Sequence, residues 1–142
     1  MNPDTTLRST SHPRLGFRPD GAPGARTFAS VRDLYQHNET FRGYFLPAQQ
    51  LAEEDLASPS EPLLLAACWV ATGEERFAQA ALKALETVEL KPTAQSDYYS
   101  PVWEFALAYD WLFNHPDLTE ARKRAVEKKI ADVLESELND CD

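Results

Sequence analysis

The chain is poor in cysteine, with only Cys68 and Cys141 among 142 residues. They lie far apart, so neither a disulfide framework nor a zinc-ligand spacing exists. Cys68 falls in an apolar helix and reads as a small buried hydrophobe. No run approaches the ~20 consecutive apolar residues of a membrane span. Nothing at the N-terminus resembles a signal peptide: Met1-Asn2-Pro3-Asp4 leads into polar residues with no apolar core. Basic charge is scarce as well. A net charge of −9 argues against a nucleic-acid binder, which needs a basic face to displace counterions from phosphates. No Gly-rich phosphate loop, Ser/His/Asp set or nucleophile elbow is present, and no metal-ligand or cofactor motif appears. No segment carries a strand pattern.

What remains is ordinary globular composition, 43% hydrophobic and 26% charged, enough for one domain with a real core. The charge is uneven. Residues 1–42 hold six arginines against Asp4, Asp20, Asp33 and Glu39, a net of +2, and the remainder carries −11. An anionic ligand would meet the N-terminal arginines more easily than the acidic helices.

Residues 1–29 read as an extended arm, because Pro3, Pro13, Pro19, Pro23, Gly16, Gly21 and Gly24 interrupt it too often for a regular element. Within it, His12 to Phe17 places Leu15 and Phe17 on one side of an extended segment able to dock on a helical body. Residues 30–142 read as a helical domain. A first helix is expected from Ser30 as cap, with Asp33 in its first turn. Pro47 is expected to begin a second short helix.

A clearer rhythm follows. Ser60 is expected to cap a helix with Pro62 in its first turn, apolar on every face through Ala71 and stopped by Gly73. The next, Glu74 to Leu90, is amphipathic, with Phe77, Ala81, Ala84, Leu85 and Val88 opposite Glu75, Gln79, Lys83 and Glu86. The alternation then repeats. Ser100-Pro101 opens a second all-apolar helix through Phe113, Asn114 to Asp117 turn the chain, and Thr119 caps an amphipathic helix. On that last helix Val126, Ile130, Val133, Leu134 and Leu138 mark the buried side. A helix that is apolar all round must be covered all round. Each pair therefore reads as an inner buried helix and an outer half-exposed one. The expected fold is all-α, an incomplete (α/α) toroid of antiparallel inner/outer helix pairs with an extended N-terminal arm. A helical solenoid of the tetratricopeptide kind also alternates, but its helices are rarely apolar on all faces. A closed ring needs more pairs than this chain encodes.

Three segments resemble, in order, the N-terminal helical domain of heparinase II/III-like and alginate-lyase-like polysaccharide lyases. His12-Pro13-Arg14-Leu15-Gly16-Phe17-Arg18-Pro19-Asp20 is similar to the family's H-P-R-L-x-F segment, which is followed by Pro and an acid. Ala71-Thr72-Gly73-Glu74-Glu75-Arg76-Phe77-Ala78 resembles its T-G-(D/E)-E-(R/K)-(Y/F)-A helix turn. Ala106-Leu107-Ala108-Tyr109-Asp110-Trp111-Leu112-Phe113, with Leu118 to Arg122 after it, resembles its A-Y-D-W helix pair. The resemblance implies β-elimination on uronate-containing glycans such as alginate or heparan-type polymers, or the related uronyl epimerisation that begins with the same proton abstraction. It implies an acidic polysaccharide as partner, with family members often periplasmic or secreted. In the family an Asn-His motif beyond the A-Y-D-W helix takes part in catalysis. No catalytic residue is carried over to this chain, which is expected to be inactive alone.

Single residues are weighed on their surroundings. Tyr98, Tyr99 and Trp103, at the start of the second apolar helix, are the candidate substrate-binding residues, since sugar rings stack on such aromatics. Asp110, isolated among apolar neighbours, must be hydrogen-bonded or paired. His12 is expected to anchor the arm, Tyr109 to sit in the core, and His37 and His115 to be solvated. Arg14 and Arg18 are expected to pair with nearby acids. The basic residues between Arg122 and Lys129 read as a solvated outer face with helix-spaced ion pairs. A competing reading is a helical-repeat module that binds a protein partner and does no chemistry. Self-association is expected where an open ring leaves apolar surface uncovered.

Overall fold

A computed structural model describes residues 12, 17, 26–91 and 101–139. They form six α-helices: α1 (Phe28–His37), α2 (Glu39–Asp55), α3 (Pro62–Thr72), α4 (Glu75–Thr87), α5 (Pro101–Leu112) and α6 (Glu120–Asn139). The fold is all-α. Among the described residues the only extended pairing is one isolated parallel bridge between Phe17 and Arg26.

The core forms where the two apolar rods meet the amphipathic helix between them. Leu65, Ala66 and Cys68 of α3 pack with Phe77, Ala81, Ala84 and Leu85 of α4 and with Phe105, Ala108 and Leu112 of α5. No residue of α3 is exposed, as its featureless apolar sequence requires. α5 departs from that rule at Trp103, which is 65% exposed. The outer helices behave differently. α4 turns Glu75, Gln79, Lys83 and Glu86 to solvent. α6 is tied down by Lys129, whose Nζ donates to the carbonyls of Leu85 (2.7 Å), Glu86 (3.2 Å) and Val88 (2.8 Å). A cation there satisfies the orphan carbonyls that end α4 and complements its dipole.

Several helix ends differ from expectation. α1 is capped by Thr27, not Ser30: the Ser30 amide donates to Thr27 Oγ1 and the Thr27 amide to Ser30 Oγ, a reciprocal capping box. Pro47 starts nothing and lies inside α2. Its missing N–H forgoes one bond to the Gly43 carbonyl, and both Gly43 and Pro47 lie on the exposed side of the helix. The helix is held across that gap by buried Ala52 and by the Tyr35 hydroxyl donating to Gln49 Oε1 at 2.7 Å. Ser60 does not cap α3. Asp55 at the end of α2 takes its amide and hydroxyl, together with the Glu61 amide, and fixes the connection instead. α4 ends at Thr87, with extended backbone at Val88. On α6, Val126 and Val133 are buried, but Leu134 and Leu138 are exposed at 44% and 71%. α6 packs on α4 and α5 through the face that carries Val126 and Val133. Leu134 sits about 100° around the helix from buried Val133, on a face with Leu138 that stays exposed.

Gly73 does end α3, at φ +73° and ψ 5°. This left-handed conformation costs a side chain-bearing residue about 1–2 kcal/mol. An added Cβ would meet the Arg32 side chain first, at 3.4 Å, so the backbone conformation rather than space sets the requirement for glycine.

Candidate functional site

The turns that end α3 and α5 lie at the same end of the molecule, and a cleft of about 580 Å³ opens between them. Its walls come from the arm (His12), α1 (Phe28, Arg32), the end of α3 (Trp69, Gly73), the start of α4 (Glu75) and the end of α5 with its turn (Trp111, Asn114, His115, Asp117). Aromatic edges knit these segments together. Phe17 meets Phe28 and Trp111 edge-on, each at 5.1 Å between centroids, Phe28 meets Trp69 at 5.6 Å, and Trp69 meets His115 at 5.8 Å. Edge-to-face pairs of this kind contribute beyond the area they bury.

The arm is anchored as expected. His12 Nδ1 lies 2.6 Å from Asp110 Oδ1, with Asp110 only 5% exposed. A carboxylate can only accept, so the proton sits on Nδ1. The imidazole also stacks on Phe113 at 3.7 Å, and Lys123 Nζ lies 3.9 Å from the centre of the same ring. Asn114 Nδ2 donates to the His12 carbonyl at 2.6 Å. The embedded acid of α5 thus docks the N-terminal segment. Arg32 completes the α1 wall: its Nε donates to the Val70 carbonyl at 3.1 Å and its guanidinium lies 5.5 Å from the centre of the Trp69 ring.

His115 is not solvated. It is buried against Trp69, and both ring nitrogens are occupied. The Asp117 amide donates to Nδ1 at 3.1 Å, so Nε2 of the neutral ring carries the proton and donates to Glu75 Oε1 at 2.5 Å. Gln79 Nε2 bridges the two carboxylates, 2.9 Å from Glu75 Oε1 and 2.6 Å from Asp117 Oδ2. Donation from Gln79 first, and His115 next, holds the Glu75 carboxyl below the usual carboxylate range. Glu75, His115 and Asp117 each offer a ligand atom, all within 4.8 Å of one another. The donor set does not fit a cation as arranged. A metal on Nε2 needs a proton on Nδ1, which would set it against the Asp117 N–H. The cleft therefore presents acceptors on its α4 side, a guanidinium on its α1 side and indole surface between them.

Of the residues singled out from the sequence, Tyr98 and Tyr99 lie outside the described residues, as do Arg14, Arg18, Leu15 and Cys141. Trp103 stands near the start of α5, roughly 12 Å along the helix axis from Trp111 at 1.5 Å per residue, and does not line the cleft. His37 is a surface residue paired with Asp33 at 3.1 Å. Tyr109 is half-buried and its hydroxyl donates to Glu127; burial first, and that bond next, raise its pKa. On α6, Lys128 pairs with Asp132 at 2.7 Å as the helix spacing predicts. Trp69, Trp111, Arg32, Glu75 and Asp117 were not foreseen as one site. The available signal was the repeat itself. Pro62 and Pro101 open equivalent helices, so the polar turns that end them fall together. Compared with protein-family models, curated proteins and solved structures, the chain matches none.

Proposed function

We propose that this chain is the N-terminal helical part of a polysaccharide lyase acting by β-elimination on uronate-containing glycans, or of a related uronyl epimerase. In this reading the helices belong to an incomplete (α/α) toroid and the cleft forms one wall of the glycan groove. The observation that carries the proposal is the cleft, where Phe28, Trp69 and Trp111 stand beside Arg32, Glu75, Asn114 and Asp117. Indole surface suits the apolar C–H faces of a pyranose, carboxylates accept from its hydroxyls, and a guanidinium suits a uronate carboxylate. Proton abstraction at C5 of a uronate also needs its carboxylate neutralised and an enolate-like intermediate stabilised. No residue of this chain is assigned those catalytic roles, and elimination is not expected from the chain alone. The test is to incubate the complete polypeptide with alginate and with heparan sulfate and to follow the ultraviolet absorbance of unsaturated uronate ends. Growth of that absorbance supports the proposal, and its absence with every uronate polymer removes it.

The alternative is a helical-repeat module that binds a protein without chemistry. It draws on the apolar residues α2 leaves exposed, Tyr44, Leu46 and Leu51. A complete polypeptide that is folded yet inert on every uronate polymer favours it.

A further inference from the structure

Among the described residues, α2 and α6 each leave an apolar stripe exposed. α2 packs on α1 and α3, whereas α6 packs on α4 and α5. On α2, Tyr44 (84% exposed), Pro47 and Leu51 follow one another at helical spacing. On α6, Ala131, Leu134 and Leu138 do the same. Both helices grow more acidic toward their C-terminal ends. α2 holds Glu39 and Arg42 in its first turn and ends with Glu53, Glu54 and Asp55, while the first half of α6 is net basic (Arg122, Lys123, Arg124, Lys128 and Lys129 against Glu120 and Glu127) and its second half acidic (Asp132, Glu135, Glu137). Laid antiparallel with Tyr44 against Leu138, the stripes bring Pro47 near Leu134 and Leu51 against Ala131. Glu54 lies as far beyond Tyr44 as Lys128 lies before Leu138, so these two exposed residues meet in the same register. Antiparallel helices also set opposite dipole ends together.

We infer that the α6 stripe of one copy docks antiparallel on the α2 stripe of a second copy, a head-to-tail contact between different surfaces. Such a contact leaves one stripe free on each terminal copy, so growth continues until a ring closes. It is small, hence weak and concentration-dependent. The charge gradients fix its direction more than its strength.

The test is analytical ultracentrifugation of the full chain with Tyr44→Glu, Leu138→Glu and their equimolar mixture. The wild type should rise past the dimer mass with concentration. Each variant alone should weaken association about 10-fold or more, because a charge replaces buried apolar area. Mixing restores association but stops it at a one-to-one dimer, since each variant keeps the stripe the other has lost. Glu54→Lys and Lys128→Glu should each weaken association, and the double variant should recover it. Circular dichroism confirms that these exposed substitutions leave the helices intact. A wild type monomeric at all concentrations overturns the inference. So do variants that associate like the wild type, or a mixture that forms no heterodimer.

Discussion

Removing the imidazole that meets Asp110 is the sharpest probe of how the arm is held. A hydrogen bond to a charged group contributes about 1.5–3 kcal/mol, and here the acceptor is a 5% exposed carboxylate in the last turn of a helix whose other acid is Glu104. His12→Ala also strips the ring stacked on Phe113, so the expected cost is about 2–4 kcal/mol. Asp110→Ala leaves that stacking in place and removes the buried charge, for about 1–3 kcal/mol. The double variant has no charge left to satisfy and should be less destabilised than the sum, with a coupling of about 1–3 kcal/mol. Urea titrations of the four proteins, followed by circular dichroism, give the cycle directly. Additive effects, with coupling below about 0.5 kcal/mol, would refute the idea that Asp110 is on α5 to receive the arm.

Other expectations follow from single features of the fold. Gly73→Ala should lower stability by about 1–2 kcal/mol through its left-handed backbone, measured by the same titration, and an unchanged midpoint would contradict the cap. Burial pushes the Cys68 thiol up from 9.0 to about 11. The fold therefore favours the protonated thiol, a contribution fully present below pH 9.0 and lost as pH rises through about 11. In a Cys141→Ser background, Cys68 should resist a thiol-disulfide reagent at pH 8 until the chain is unfolded, and rapid labelling of the native protein would count against its burial. Glu75 is shifted the other way, so its contribution holds above its unfolded value of 4.5 and is lost as pH falls through the lower folded one. Glu75→Gln should flatten the acid limb of a stability-versus-pH curve, and an unaltered limb would remove Glu75 from the account.

Sequence pattern carried the helical class because α3 has no polar face to offer water and α5 almost none, a property set by composition within one segment. Gly73 was readable for the same reason, since only its own backbone decides it. Pro47 misled because its cost is local while the contacts that outweigh it, Ala52 in the core and Tyr35 on Gln49, come from elsewhere. Ser60 misled because Asp55, five residues earlier, competes for the same amides. His115 beside Pro116 looked like an open turn, and its partner Glu75 is forty residues away. Leu134 and Leu138 share helical spacing with Ala131 rather than with buried Val126 and Val133, and spacing alone does not say which of the two apolar stripes of α6 the neighbouring helices cover. The cleft was legible only through the repeat, which brings the ends of two equivalent helices together without saying what lines the gap.

The saccharide-binding role proposed for that cleft is open to one direct measurement. In a Trp103→Phe protein, whose remaining indoles are Trp69 and Trp111, oligouronates from alginate and from heparan-type polymers are titrated while tryptophan emission is followed. A saturable change that is abolished by Arg32→Ala or Asp117→Ala is the predicted result. Emission that stays flat with both sugars, or responds only when Trp103 is present, would contradict a glycan site between α3 and α5.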